Sequence, residues 1–518
     1  MPASFGVVDL FAGPGGLGEG FSSFGDDAGH HPFRIGLSVE KEGSAHRTLM
    51  LRKFLRAYRQ RHDGHLPARF IDFHAGRDAA PDWAAVDIDA WREATRVARC
   101  LELGTDPAAK FMDETIDRIR LEHDDTVLIG GPPCQAYSLV GRSRSKGIKG
   151  YRAEEDKRHY LFREYIRVLA RLRPAAFVME NVKGMLSSKV ESKLVFEMLM
   201  EDLSSLGTAD GHVYELRAIR LENGRAVLRE ADRPSDFVVR AEAFGVPQRR
   251  HRVIIIGIRS DLAHAIPGAS IAVPDTTRTV EDAIGNLPRL RSGLSRQDDG
   301  PDAWREIFVE AARLLASPTV SKDNRDLREL FQSVAGGNDE PRLTRASAAL
   351  PEGYGASNDA LMRWLESPEL EAVAQHETRG HMDGDLGRYL FAAAFGKVHG
   401  RSPKAGDFPF VLEPEHRNWT SGHFSDRFRV QLAHEPATTV TSHISKDGHY
   451  FIHPDPQQCR SLTVREAARL QTFPDDYVFL GNRTQQYVQV GNAVPPYLAR
   501  QIASLILQVL DPPGRSST

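Results

Sequence analysis

The sequence has little cysteine: three residues in 518, Cys100, Cys134 and Cys459. None stands near another, which excludes a disulfide framework, a metal clip and a CxxC redox pair. No metal site is expected, and each thiol is judged singly. Long apolar runs are missing too. No stretch approaches the roughly 20 residues needed to span a bilayer, and no signal segment precedes the first strand-like run at Phe5, so a cytoplasmic protein without a membrane partner is expected. Net charge is nearly absent, with 67 basic against 70 acidic side chains. Attraction to a polyanion then rests on local basic patches.

What is present is ordinary globular material, 41% hydrophobic and 26% charged, in a chain long enough for more than one lobe. The first half alternates short apolar runs with amphipathic stretches, the pattern of a parallel sheet with helices on its faces. "FGVVDLF", "RIGLSVE", "DTVLIGG", "AAFVMENV" and "HRVIIIGI" read as strands, each meeting a polar or glycine cluster. "HYLFREYIRVLARLR" reads as a helix stopped by Pro174. From about Ser260 prolines, glycines and isolated charges break the periodicity. The expected division is a catalytic and cofactor-binding domain over 1–260, an irregular recognition lobe over 261–458, a helical segment bridging the lobes over 459–483, and a C-terminal helix returning to the first domain over 484–518. Thr463 is placed as a helix N-cap, and Pro495 and Pro496 at a helix's first turn.

Four stretches carry chemistry. In "DLFAGPGGLGEGF", Gly13, Gly15 and Gly18 have GxGxxG spacing, and Glu40 follows Gly18 by 22 residues. By themselves these leave open a dinucleotide or another nucleotide-like cofactor. In "GGPPCQAYS", Cys134 stands past a strand end, behind two rigid prolines. Ahead of it lies a basic run holding Arg142, Arg144, Lys146, Lys149 and Arg152 without an acid. A lone thiol is more often inert and buried, but electropositive surroundings favour the thiolate that does nucleophilic work. In "ENVKG", Glu180 follows Cys134 by 46 residues. One intervening helix brings the two strand ends to the same rim, making Glu180 a candidate general acid. In "QRRHR", Arg250 and Arg252 flank His251, so an extended chain points both to one face as a clamp for an anionic or carbonyl oxygen.

Taken in order, "DLFAGPGGLGEGF", the acid of "SVE", "GGPPCQAYS", "ENVKG", "QRRHR", "RSLTVREAARLQTFPDDY" and "VGNAVPPYLA" resemble the ordered motifs of the DNA (cytosine-5) methyltransferases. The resemblance runs from the first strand to the last helix. It implies an α/β fold: a Rossmann-like S-adenosylmethionine-dependent methyltransferase sheet with helices on both faces, plus a smaller irregular target-recognition lobe. It implies methyl transfer from S-adenosyl-L-methionine to carbon 5 of a cytosine flipped out of duplex DNA, in a restriction-modification setting. Cys134 would then be the nucleophile that adds to carbon 6, Glu180 the group at the base's N3 edge, and Arg252 with Arg250 the holders of its carbonyl oxygen. Phe11, Gly13, Gly15 and Leu17 would line the methionine side of the cofactor, and Glu40 would take the ribose hydroxyls. Asp72 would lie on the adenine side, with Pro132, Leu161, Asn492 and Val494 as further walls.

Gln135, Ser138, Arg142, Arg144, Lys146 and Gln248 would meet DNA, and His376, Arg379 and Trp419 are candidates for base or backbone contact. The implied partners are double-stranded DNA, with which the protein would associate in the nucleoid, and a cognate restriction endonuclease acting on the same site. The enzyme itself is expected to be a monomer. A nicotinamide-dependent dehydrogenase would leave "GGPPCQ", "ENVKG" and "QRRHR" unexplained. A transfer RNA methyltransferase on the same motifs would carry a smaller variable lobe, and a non-catalytic relative is at odds with Cys134 and Glu180.

Overall fold

The computed structural model describes residues 4–25, 30–133, 161–190, 193–205, 213–320, 324–336, 342–414, 419 and 426–512. Its centre is a ten-stranded sheet made of β1 (Phe5–Leu10), β2 (Phe33–Glu40), β3 (Ala98–Cys100), β4 (Asp125–Gly130), β5 (Ala176–Val182), β6 (Tyr214–Glu222), β7 (Arg225–Arg229), β8 (Val238–Arg240), β9 (His251–Arg259) and β10 (Ser270–Ala272). The order across it is β10-β7-β6-β9-β5-β4-β1-β2-β3, with β8 paired to β9. β1 is buried along its whole length, as a short apolar strand covered on both faces must be.

Connections leave β1 in opposite directions. The chain passes to β2 and β3 on one side and returns to β4 and β5 on the other, all parallel. The carboxyl ends of β1 and β4 therefore form a topological switch point, where open α/β sheets bind ligands. The wholly parallel expectation fails at β9, which runs antiparallel to β5 and β6. That reversal brings the start of β9, and so Arg252, to the rim where β1, β4 and β5 end. Gly257 makes the pairing possible, because a Cβ there would stand 1.9 Å from the Phe177 ring.

Helices cover both faces. On one, α1 (Gly16–Ser23) packs against the C-terminal helix Pro496–Leu510, over a core that includes Val7, Val178, Ile254, Ile502 and Ile506. Pro495 is the N-cap of that C-terminal helix and Pro496 opens it. On the other face, helices Asp106–Glu122 and Leu161–Leu172 bury Ile116, Ile119, Tyr165 and Leu169 against Val8, Leu128 and Ile255. α2 (Gly43–Arg61) follows β2. Among the described residues no helix is long and apolar enough to cross a membrane.

The region read as irregular, 261–458, contains a helical core. Helix Pro301–Ala316 buries Trp304, Phe308, Ala312 and Leu315 at helical spacing. Helix Asp383–His399 lies against it with eleven residues from Asp385 to Gly396 buried. Its alanines and glycines let neighbours approach closely, and they also flatten the amphipathic contrast that a sequence scan detects. The bridging segment begins with helix Val464–Leu470, whose N-cap Thr463 and N3 residue Glu466 form a reciprocal capping box.

Candidate active site

At the rim, Glu180 and Arg252 lie on adjacent antiparallel strands, and the Arg252 Nε stands 2.9 Å from the Glu180 Oε1. Both side chains are largely buried, 13% exposed each, so the charged pair is shielded from screening by solvent. A Cβ at Gly131 would lie 2.9 Å from Glu180 Oε2, so glycine lets the backbone pass directly against the carboxylate. The next residue is tied to the same strand, because Asn181 Nδ2 donates to the Pro132 carbonyl at 3.1 Å. Pro133 is the last residue described before Cys134. Cys134, Gln135, Ser138, Arg142, Arg144 and Lys146 lie outside the described residues.

The glycine loop follows β1 on the same rim. Phe11, Gly13 and Gly15 have φ of 56°, 57° and 108°. Three left-handed residues within five turn the chain sharply from strand into helix, a conformation that glycine adopts at least cost. Gly13 N–H donates to Glu40 Oε2 at 2.7 Å and Glu42 N–H to Glu40 Oε1 at 2.7 Å. A Cβ at Gly13 would meet nothing within 4 Å. The loop thus surrounds open space beside a carboxylate already oriented by two amides. Leu17, Pro132 and Val494 are buried, Phe11 and Leu161 lie between buried and exposed, and Asn492 is exposed at its helix end. The Val494 carbonyl would be 2.2 Å from a Cβ at Gly16, which places this wall residue against the start of α1.

Three expected site residues are elsewhere. Asp72, on helix Ala68–His74, is bound at 2.9 Å by Arg77. The neighbour of Glu40 is instead β3, where Glu40 pairs with Cys100 and the Leu101 N–H donates to the Glu40 carbonyl at 3.1 Å. A three-residue strand behind four helices has too short a pattern to be read. Gln248 is fully buried, donating to the Leu470 carbonyl at 3.1 Å and to Gln471 Oε1 at 2.9 Å while accepting the Val440 N–H at 2.8 Å. It therefore braces the interior instead of meeting DNA.

Arg250, 1% exposed, donates to the Val440 carbonyl at 2.9 Å and to the Gly491 carbonyl at 3.2 Å. The clamp expectation assumed continuous extended chain. The two-residue strand Gln248–Arg249 instead ends before Arg250, and β9 begins after it, so alternation does not carry across. Burial, followed by the nearby Arg252, pulls the Arg250 guanidinium well below its ordinary pKa.

Two of the recognition candidates, His376 and Trp419, are buried, and half-exposed Arg379 is bonded to backbone. His376 hydrogen-bonds Thr463 and the Pro288 carbonyl, Arg379 donates to the Ile444 and Lys446 carbonyls, and Trp419 packs on Phe408 and Phe428. Sequence reasoning missed Asn181 and Tyr477, whose hydroxyl donates to the Pro14 carbonyl in the glycine loop. The signal was available in "ENVKG" and "FPDDY", but only as motif membership without a stated contact.

The switch-point loop, the carboxylate at the end of β2 and the acid–arginine pair at the ends of β5 and β9 define a Rossmann-like methyltransferase sheet. The profile of the C-5 cytosine-specific DNA methylases matches residues 84–508. Type II methyltransferase M.Bpa9945I of Bacillus paralicheniformis is 33% identical over 98% of this chain and 99% of its own. M.AgeI of Thalassovita gelatinovora, also a type II methyltransferase, is 27% identical over 96% and 98%. DNA (cytosine-5-)-methyltransferase M.ApeKI of Aeropyrum pernix is 27% identical over 75% and 82%. The chain belongs to the C-5 cytosine-specific DNA methylase family and is a DNA (cytosine-5-)-methyltransferase.

Proposed function

We propose that this enzyme methylates carbon 5 of a flipped cytosine within one duplex DNA sequence, using S-adenosylmethionine, as the modification half of a restriction-modification pair. The observation that carries this reading is the Glu180–Arg252 pair set against Gly131 and Pro132, the residues that lead into Cys134. The donor set suits the cofactor: Glu40 is a hydroxyl acceptor beside open space, the loop at Gly13 is free of side-chain obstruction, and Phe11, Leu17 and Val494 are apolar. When bound there, the cofactor supplies an electrophilic methyl group.

The Cys134 thiolate adds to carbon 6 of the base, and the pair of electrons displaced from the 5,6 double bond makes carbon 5 nucleophilic. Glu180 holds N3 and meets the charge that develops there, while Arg252 orients the carboxylate and donates toward the carbonyl oxygen. Carbon 5 would take the methyl group as the donor's carbon–sulfur bond broke and its electron pair stayed on sulfur; loss of the carbon 5 proton then expels the Cys134 thiolate and restores the 5,6 double bond. The basic run from Arg142 to Arg152 contributes phosphate contacts, and the lobe over 261–458 reads the target. Double-stranded DNA is the macromolecular substrate, an endonuclease of the same specificity the functional partner, and one chain the working unit.

Bisulfite sequencing of a plasmid from cells expressing the protein tests this directly. Protected cytosines confined to one sequence context are expected, and their absence, or label from S-adenosylmethionine entering transfer RNA instead of DNA, overturns the reading. A Cys134→Ser protein that still transferred labelled methyl groups to DNA would refute the covalent step alone.

A further inference from the structure

The segment Asp475–Asp476–Tyr477 touches the glycine loop, α2 and the second lobe, and reaches α1 through Arg52. Tyr477 is 1% exposed, and its hydroxyl donates to the Pro14 carbonyl. The same oxygen would stand 2.9 Å from a Cβ at Gly15, the residue with φ of 108°. Asp476 forms ion pairs with Arg52 and Arg59 of α2 at 3.0 Å each. Arg52 also binds both carboxylate oxygens of Glu19, in the first turn after the loop, at 2.9 and 2.7 Å, and its guanidinium lies 5.0 Å from the Tyr477 ring centroid. Arg59 continues to Glu369 at 3.2 Å, while Tyr354 donates to Asp475 at 3.0 Å and the Asp475 N–H to the Leu365 carbonyl at 2.7 Å. Pro14 has no amide hydrogen, so its carbonyl is the only backbone hydrogen-bonding group that residue offers. The Tyr477 hydroxyl is what holds it.

We propose that Tyr477, with Asp476 acting through Arg52, is a positioning residue for the cofactor loop: it pins the Pro14 carbonyl so that the loop keeps its ligand-ready turn before any ligand arrives. It need not touch the cofactor. The left-handed residues on either side of Pro14 make the unpinned loop an ensemble, and each alternative conformation must be given up on binding. The inference rests on the assignment of this loop to S-adenosylmethionine.

Tyr477→Phe keeps the ring packed on Phe473 and Phe479 and deletes one hydroxyl. The full-length variant is expected to bind S-adenosylmethionine about tenfold more weakly, the size of one well-placed hydrogen bond. Its KM for the cofactor rises while kcat at saturating cofactor and KM for DNA stay near wild type. Amide exchange over residues 12–17 of the free protein becomes faster. Phe473→Leu, in the same cluster, serves as control: it lowers the melting temperature and leaves cofactor affinity unchanged. Unchanged affinity in Tyr477→Phe, with exchange at the loop unchanged, overturns the proposal, as does a loss confined to kcat. If the wild-type protein itself fails to bind S-adenosylmethionine, the cofactor assignment falls and takes this proposal with it. Binding by wild type and equal binding by the variant defeat the positioning role alone.

Discussion

The central sheet and the segment from Arg460 to Tyr477 are equally sealed from water, yet they are made of different chemistry. In the sheet, Val7, Val8, Ile254, Ile255 and Ile256 are fully buried and bring no polar atoms from their side chains. In the segment, Arg460, Arg465 and Arg469 are among the largest fully buried side chains, beside Glu466, Asp475 and Asp476. Arg460 binds Glu466 at 2.6 Å and reaches the Leu290 carbonyl. Arg465 donates to the carbonyls of Ala374, Pro474 and Tyr477, and Arg469 binds Asp475 at 2.6 Å and donates to the Ala283 carbonyl. Apolar burial is non-directional and tolerates small shifts. A guanidinium that bonds carbonyls of several segments is satisfied in one arrangement only. The sheet supplies cohesion, and the arginine block specifies how the second lobe seats on it.

The sharpest separation of chemistry from framework comes at the rim. Cys134→Ser abolishes methyl transfer, and Glu180→Gln lowers kcat by about 10²–10⁴-fold. Melting curves of both variants are expected to overlay wild type, and a matching loss of stability would mean that the rim belongs to the framework. Next in size is Arg460→Met, which leaves Glu466 charged and unpaired in the interior. Urea denaturation should show a loss of about 3–5 kcal/mol, most of it recovered in the Arg460→Met/Glu466→Leu double variant. If the double variant is as unstable as the single, the ion pair is not the cause.

The two regions should also respond to pH with opposite sign. Burial alone would raise the Glu466 carboxyl, but Arg460 overrides it and holds the group well below its ordinary 4.5. Its contribution to stability is complete above that value and drains away as pH falls toward the lowered pKa. In the sheet, burial lifts Asp9 from 3.8 to about 7 against the opposing charge of Lys53. Neither of its carboxylate oxygens has a hydrogen-bond partner among the described residues. Asp9 therefore costs stability increasingly as pH rises from about 4 to about 7. Relative to wild type, Asp9→Asn should gain melting temperature across that interval and Glu466→Gln should lose less on acidification; parallel curves would sink the assignment. The smallest effect is expected from Ile255→Val in the sheet, about 0.5–1.5 kcal/mol with activity retained.

The strands were legible because β1, β4, β5 and β9 are short apolar runs next to glycine and proline, and Thr463 and Pro496 announced their helices by capping chemistry. β3 was not legible, so the adenine-side expectation fell on Asp72 and the segment beside Glu40 went unread. The helices of the second lobe were passed over because prolines and charges on both sides broke the window, although Trp304, Phe308, Ala312 and Leu315 had the spacing. Arg250 and Gln248 were misplaced for a related reason. Alternation along an extended chain says which way a side chain points only while the strand continues, and this one stops at Arg249.

The amino-acid sequence by itself determined the order of the chemistry: a glycine loop after the first strand, an acid after the second, a cysteine behind two prolines, an acid 46 residues on and an arginine entering a later strand. Residue type and local backbone preference are properties of short segments, so no fold is needed to read them. Only the tertiary structure decided which of these groups meet. The antiparallel direction of β9 puts Arg252 on Glu180, while the docking of the second lobe claims Arg250 and Gln248 for the interior and sets Tyr477 on the loop. Those choices depend on contacts between residues far apart in the chain, and their free energies are settled by packing and by the cost of burying a polar group without a partner.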